Sequence, residues 1–406
     1  MIDFTLSPTQ HQIRQNAQSF ADTHLQNAHT LYTQPSARER FRAIQPVYRR
    51  AVEAGLVQAQ VPSEYNGLGY DLIDMALLTE ELYTADVSVA LTILGTGLGL
   101  SPLLLGGTDE QKRRFLAPFT NRTGVPLASL VHSEPGGTAN AVSHGLATKA
   151  KKVDGGWAIT GEKLWAANSG GWDDRGADIQ CVTCSSDEGV MILLVTREDI
   201  AENATTAYKV LSHPETIGHK AVCGPHIRFD SFIAKHVIAR GSGAQIIQGA
   251  FTASAALVGA MSVALMRKCF ERTLRFAKTE TRNGREPIIN RQSVADLLVQ
   301  MKMRCEAARA LTWKACATLQ SGGGDGETAH LAKIFASDSA VQCVVEGMNV
   351  VGVSAYQVQM QYGELLNDAV CLPVFDGGNV GVRRRELEAR FKLDGYSPWA
   401  ASFAKL

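Results

Sequence analysis

The order of hydrophobic periods along the 406 residues constrains the fold more than any other feature. From Ser7 to about Phe119 apolar residues recur at helical spacing, as in Phe41, Ile44 and Val47, and again from Met75 to Leu82. Gly55, Pro62 and Gly67-Leu68-Gly69 punctuate this region. Ser7, Pro8 and Gln10 have the pattern of a helix start, with Ser as cap and Pro in the first turn. From about Val125 to Ile238 the pattern changes to short runs rich in Val, Ile and Thr between turns. Leu127–Val131, Gly156–Thr160 and Val190–Val195 are examples, and they predict a small antiparallel sheet or barrel. Helical spacing then returns over Gln245–Lys278, Arg291–Leu319 and Glu327–Val351. The expectation is an α+β multidomain chain: a helical domain over 1–122, a β domain over 123–240 and a helical bundle over 241–406. A β insert between helical segments makes crevices at its junctions, where an elongated cofactor fits.

Forty basic residues balance forty acidic ones, so charge gives no reason to expect nucleic acid or a membrane surface as partner. No secretory signal opens the sequence. Its most apolar stretch, Ala253 to Met266, is shorter than the roughly 20 residues of a membrane span and reads as a helix buried on all sides. Eight cysteines fit reduced thiols of an intracellular protein. Cys181 and Cys184 form a C-x-x-C in a strand-like run, with no second pair to complete a zinc site, so no metal is expected. Ser321-Gly322-Gly323-Gly324-Asp325-Gly326 lacks Gly-Lys-Ser/Thr and reads as a helix connector. Gly95-Thr96-Gly97-Leu98-Gly99 lacks the strand–turn–helix setting of a dinucleotide fingerprint. The terminal Ala404-Lys405-Leu406 has the form of a peroxisomal address; a cytoplasmic location is the alternative.

Two segments of the β region carry chemistry. Leu127 to Asn140 reads as a strand ending in a Gly-rich turn, which exposes backbone N–H groups beside His132, Ser133 and Thr138. Such groups bind flavin carbonyls or a pyrophosphate. Gly161 to Trp172 offers aromatic rings to cover a planar cofactor. Each alone reads equally well as a β-turn with a core tryptophan.

Their order and wording resemble the two flavin-contacting segments of the acyl-CoA dehydrogenase superfamily: Ser-Glu134-Pro-Gly-Gly, then Gly-x-Lys163-x-Trp165-x-x-Asn168. Val61 to Gly69 resembles its N-terminal Pro-x-x-Tyr-Gly-Gly-x-Gly loop, and Arg282 with Gln292 matches its Arg…Gln stretch. Asn367 to Arg383 matches the segment that carries its catalytic acid, with Asp376 in that slot. The resemblance covers essentially the whole chain. It implies the acyl-CoA dehydrogenase-like fold, with FAD as cofactor. Cofactor contacts are then expected at Leu130, His132, Ser133, Gly137, Thr138, Trp165, Ala167, Arg282, Gln292, Gly352 and Asn379. Arg282 is expected to reach FAD held largely by a neighbouring subunit of a homotetramer or homodimer.

The acid slot usually holds Glu; here it holds Asp376, and the wider wording resembles nitroalkane oxidases most closely. The shared phrases include Gly-Glu-Lys-Leu-Trp-x-x-Asn-Ser-Gly-Gly-Trp-Asp and Phe-Asp376-Gly-Gly-Asn379. A nitroalkane C–H is acidic, so its removal needs a positioned carboxylate rather than a strong base. The implied reaction releases nitrite and an aldehyde or ketone, and reduced flavin makes hydrogen peroxide from molecular oxygen. By this resemblance Asp376 is the base, Arg383 pairs with it and Ser254 orients it. A surface arginine in a run of three, and a hydroxyl bonded back to its own helix, are the plain alternatives for the last two. Two positions depart from the pattern: Ala167 stands where a hydroxyl is usual near the flavin, and Leu372 where nitroalkane oxidases carry Tyr. The alternatives are a related carbon acid or an amine-like metabolite as substrate, an acyl-CoA dehydrogenase or oxidase, a flavin monooxygenase on the same fold, and an inactive scaffold.

Overall fold

The structure is a computed structural model, and it describes residues 4–138, 145–322 and 326–399. Ala404-Lys405-Leu406 and the Ala139-Asn140 end of the Gly-rich turn lie outside the described residues. By packing, the chain divides into two compact units. One comprises the described residues of Met1–Ser19, Asp71–Val87 and Thr252–Leu406; the other comprises Phe20–Tyr70 and Ser88–Phe251.

The first unit is helical. Its helices are α1 (Pro8–Phe20, up to Ser19), α4 (Leu72–Ala85), α8 (Gly243–Thr279, from Thr252), α9 (Gln292–Gln320), α10 (Glu327–Val351), α11 (Tyr362–Cys371) and α12 (Arg384–Phe391). Ser7 caps α1 as expected: Gln10 N donates to Ser7 Oγ at 3.1 Å and Ser7 N to Gln10 Oε1 at 3.0 Å. The core between α4, α8, α9 and α10 is built from small side chains, among them Ala76, Ala255, Ala256, Ala260, Ala315, Ala329 and Ala332. Small residues let helix axes approach closely. Gly347 is one such point, since a Cβ there would meet Cys269 Sγ and Thr273 Oγ1, each at 2.9 Å. A buried ion-pair network adds direction: Arg309 Nη2 lies 2.7 Å from Glu80 Oε1, and Arg267 Nη1 2.9 Å from Glu81 Oε1. Helices α9 and α10 flank Ser321–Gly326, of which Gly323, Gly324 and Asp325 lie outside the described residues.

The second unit carries α2 (Ala37–Ala43), α3 (Gln45–Glu53), α5 (Val87–Gly106, from Ser88), α6 (Asp109–Thr120), α7 (Arg197–Glu202) and an eight-stranded sheet. The strands are β1 (Ala128–Val131), β2 (Lys149–Val153), β3 (Gly156–Lys163), β4 (Ile179–Ser186), β5 (Gly189–Thr196), β6 (Tyr208–Ser212), β7 (His226–Ala234) and β8 (His236–Ala239). Their order is β6-β7-β3-β2-β4-β5-β8, with β1 beside β4. The sheet is mixed rather than purely antiparallel, because β1 and β2 both run parallel to β4. Cys181 and Cys184 are both buried in β4, and no disulfide joins any of the eight cysteines.

Helix α8 extends well beyond the Ala253–Met266 stretch. It and α5 are long and apolar enough to cross a membrane, yet 67% and 72% of their most apolar stretches are buried within the protein, as in core helices. The Gly95–Gly99 run lies inside α5. Its glycines are contact points: a Cβ on Gly99 would overlap the Ala128–Ser129 backbone of β1, and one on Gly97 would overlap the end of the Gln60 side chain. Backbone cannot move aside but a side chain can. Gly99→Ala is therefore expected to cost about 1–3 kcal/mol, while Gly97→Ala stays within about 1 kcal/mol because better helix propensity offsets the displaced Gln60. Urea unfolding of the two variants measures the difference, and equal midpoints would contradict this packing.

Candidate active site

In the first unit, α11 ends at Cys371 and the chain turns back before α12 through a π-helical turn, Asn379–Arg383. Asp376 stands in this connection with φ 53°, followed by Gly377 at φ 67°. A left-handed backbone is costly for a residue with a Cβ. Arg383 supports it from seven residues on: its Nη2 and Nε donate to the Asp376 carbonyl at 2.7 and 3.1 Å. The same Nη2 lies 3.0 Å from Asp376 Oδ2. From α8, Ser254 Oγ donates to the other carboxylate oxygen at 2.8 Å. The two side chains of the ion pair are only 5% and 2% exposed. Arg383 is thus not one of three surface arginines: Arg384 and Arg385 are exposed, and Arg384 pairs with Asp338. Ser254 bonds Asp376 rather than its own helix.

Helix α10 supplies groups that sequence reading did not single out. His330 Nδ1 is 3.2 Å from Arg383 Nη1. A guanidinium only donates, so Nδ1 accepts and the ring is neutral with its proton on Nε2. That Nε2 is buried without a partner atom among the described residues. Burial first, then Arg383 and Lys333, push the His330 pKa down to about 4. Lys333, fully buried, donates to the Phe375 carbonyl at 2.9 Å and Asn379 Oδ1 at 3.0 Å. Asn379 Nδ2 donates to Ser337 Oγ and Asp338 Oδ1, both at 2.9 Å. The amide of Asn379, expected to contact cofactor, is engaged in this network. A signal for Lys333 and His330 existed in principle, since both fall on the apolar side of a helix at i, i+3 spacing. Leu372 is fully buried.

Arg282 and Gly352 are also brought together in this unit. Arg282 donates from Nη2 to the Val351 carbonyl and from Nη1 to Ser354 Oγ at 3.4 Å. Gln292 is exposed, its amide bonded to Asp296 at 2.7 Å.

In the second unit the two β-region segments meet. Lys163, at the end of β3, is fully buried and donates to the His132 carbonyl at 2.9 Å and Glu134 Oε1 at 3.0 Å. Glu134 also accepts from Ala147 N and Thr148 N at 2.7 and 2.9 Å. Burial opposes its ionisation, but Lys163 and the Thr148 bonds outweigh it and hold the carboxyl below its ordinary range. His132, pushed down to about 3 by burial and then Lys163, is neutral, with Nδ1 3.0 Å from Thr183 Oγ1. Leu130 lies in β1. Ser129 Oγ donates to the Ala167 carbonyl at 2.7 Å, so position 167 is used through its backbone. Asn168 is buried and donates to Thr92 O at 3.1 Å and Thr96 Oγ1 at 3.2 Å. The two tryptophans of the segment divide: Trp172 stacks on Phe41 at 4.4 Å and is packing, whereas Trp165 is 56% exposed at φ 71°.

These residues fit a flavin. Trp165 presents a bare aromatic face beside the anchored turn at Ala167. Gly136 and Gly137, at φ 85° and 88°, have open space where a Cβ would stand, so their backbone is accessible to a bulky ligand. Among the described residues no cluster could hold a metal ion.

Residues 7–123 match the acyl-CoA dehydrogenase N-terminal domain model and residues 241–391 the acyl-CoA dehydrogenase C-terminal domain model. Nitroalkane oxidase of Fusarium oxysporum is 44% identical over 99% of this chain and 98% of its own. The solved Podospora anserina nitroalkane oxidase superposes with a TM-score of 0.96 at 44% identity, both chains covered in full. A further solved nitroalkane oxidase, described as a flavoprotein and studied for the roles of one Arg and one Asp in its reaction, gives 0.97 at 42%, again in full. The chain belongs to the acyl-CoA dehydrogenase family, and is an FAD-dependent oxidoreductase of it. Within that family its full-length likeness is to the nitroalkane oxidases.

The neutral His330 has a consequence for acid stability. Its unfolded pKa is the ordinary 6.5 and its folded one about 4, so the unfolded chain takes up the proton first as pH falls. Native stability is lost between those values. His330→Asn keeps an acceptor for Arg383 but cannot titrate. Between pH 7.5 and 5 the unmodified protein should lose about 2 kcal/mol more than the variant. Chemical denaturation at both pH values measures this, and equal losses would show that His330 is not held neutral.

Proposed function

We propose that the protein oxidises nitroalkanes, with Asp376 as the base that removes the proton beside the nitro group. The observation that carries this reading is the buried Asp376 carboxylate, held by Ser254 on one oxygen and Arg383 on the other. In the solved relative studied for one Arg and one Asp, those residues are seven positions apart, as Asp376 and Arg383 are here.

Removal of the proton leaves a nitronate, whose negative charge sits mainly on the nitro oxygens. Arg383 and Ser254 each hold one Asp376 carboxylate oxygen, and Ser254 fixes which lone pair faces outward. A nitroalkane carbon is acidic enough for an ordinary carboxylate to serve, which agrees with Asp in this slot. Bound FAD would supply the two-electron oxidation of the substrate carbon, with molecular oxygen as the final acceptor. Overall, a primary nitroalkane, water and oxygen become an aldehyde, nitrous acid and hydrogen peroxide. His132, Ser133, Gly137, Thr138, Trp165 and the Ala167 backbone would hold the cofactor. Arg282, exposed beside Gly352, and Gln292 would serve FAD of a neighbouring copy in a homotetramer or homodimer. Leu372 is buried and Ala167 carries no hydroxyl, so neither side chain adds a donor for the substrate.

Anaerobic mixing with nitroethane should bleach the flavin and release nitrite, while an acyl-CoA should leave the spectrum unchanged. Bleaching by the acyl-CoA alone, with no nitrite from nitroethane, would sink the reading. Asp376→Asn should retain FAD absorbance yet reduce nitroethane turnover by about 100-fold or more, the usual scale for loss of a general base. Undiminished turnover would place the base elsewhere.

A further inference from the structure

Burying a lysine ammonium is expensive, and a core position needing only volume would carry Met or Leu. Lys333 is nevertheless fully buried on α10, and it donates to two acceptors of the connection that carries Asp376. Phe375, whose carbonyl it holds, directly precedes Asp376; Asn379, whose amide oxygen it holds, follows three residues later. Asn379 is fixed in turn to Ser337 and Asp338 of the same helix. The left-handed Asp376 backbone is therefore gripped on both sides and referred to one helix. Arg383 holds the Asp376 carboxylate and carbonyl and Ser254 the carboxylate, while Lys333 adds a hold on the Phe375 carbonyl just before them.

We propose that Lys333 is a positioning residue: through Phe375 O and Asn379 it holds the Asp376 turn where the carboxylate meets the substrate C–H. Burial lowers the Lys333 pKa to about 8, with Asp376 pulling back against it, so the ammonium is present at neutral pH. A displacement of the order of 1 Å at a reacting group costs about 100-fold in rate. Removing this clamp should therefore slow proton abstraction while leaving the flavin site of the other unit intact.

The inference rests on Asp376 being the base, and the experiment separates the two. The FAD-loaded protein and its Lys333→Met and Asn379→Ala variants are mixed anaerobically with nitroethane, and separately with ethyl nitronate, the substrate with its proton already removed. Asp376→Asn runs alongside. With nitroethane the two clamp variants should reduce their flavin on the order of 10- to 100-fold more slowly, at full amplitude. With the nitronate they should match the unmodified protein, because no base is needed. A generally damaged site would lose amplitude, or slow on both substrates alike. Either of those results, unchanged nitroethane rates, or failure of both variants to fold with FAD would overturn the proposal. If Asp376→Asn itself were fully active on nitroethane, the base assignment would fail instead.

Discussion

A carboxylate inside protein has to be surrounded by donors, and the helical unit is organised around that need. Asp376 is almost fully covered, so water cannot supply them. Ser254, Arg383 and the backbone geometry that Lys333 stabilises are the response. They come from three separate stretches of chain, α8, the π-helical turn and α10. The alanine-rich core explains how they converge: Ala255 and Ala256 adjoin Ser254, and Ala329 and Ala332 adjoin His330 and Lys333. Small side chains at those positions bring the helices close enough for short polar groups to reach one turn.

The β-containing unit repeats the strategy with different parts. Lys163 and Glu134 form a second buried ion pair, and each also binds backbone, so the pair ties the Gly-rich turn after β1 to the end of β3. Breaking such a pair by removing one partner leaves an uncompensated buried charge, which costs more than the intact pair contributes. The pair therefore fixes where the turn lies. Trp165 remains exposed on a left-handed backbone beside it, while Trp172 is consumed by packing. Spacing alone does not separate the two rings; the family resemblance expected a cofactor contact at Trp165 only.

Much of the architecture was legible because periodicity is local. Three long helices were predicted within two residues of where they lie, and the Ser7 capping pair follows from hydroxyl and amide chemistry three residues apart. The mixed character of the sheet was not legible. Whether β1 and β2 run parallel or antiparallel to β4 depends on how the connections cross, and strand alternation is blind to it.

For the site, the sequence by itself determined the residue types: an acid in the Phe-Asp-Gly-Gly slot, an arginine seven positions on and a serine in an apolar helix. Motif wording encodes these because the chemistry demands particular functional groups. Only the tertiary structure decided that Arg383 is buried while Arg384 and Arg385 are not, and that Ser254 turns to Asp376 rather than to its own helix. It also decided that Lys333 and His330, unremarkable in an apolar helical pattern, face the same turn. Hydrogen bonds and ion pairs act over about 3 Å in space, and no spacing along the chain reports which distant groups the packing brings within that reach.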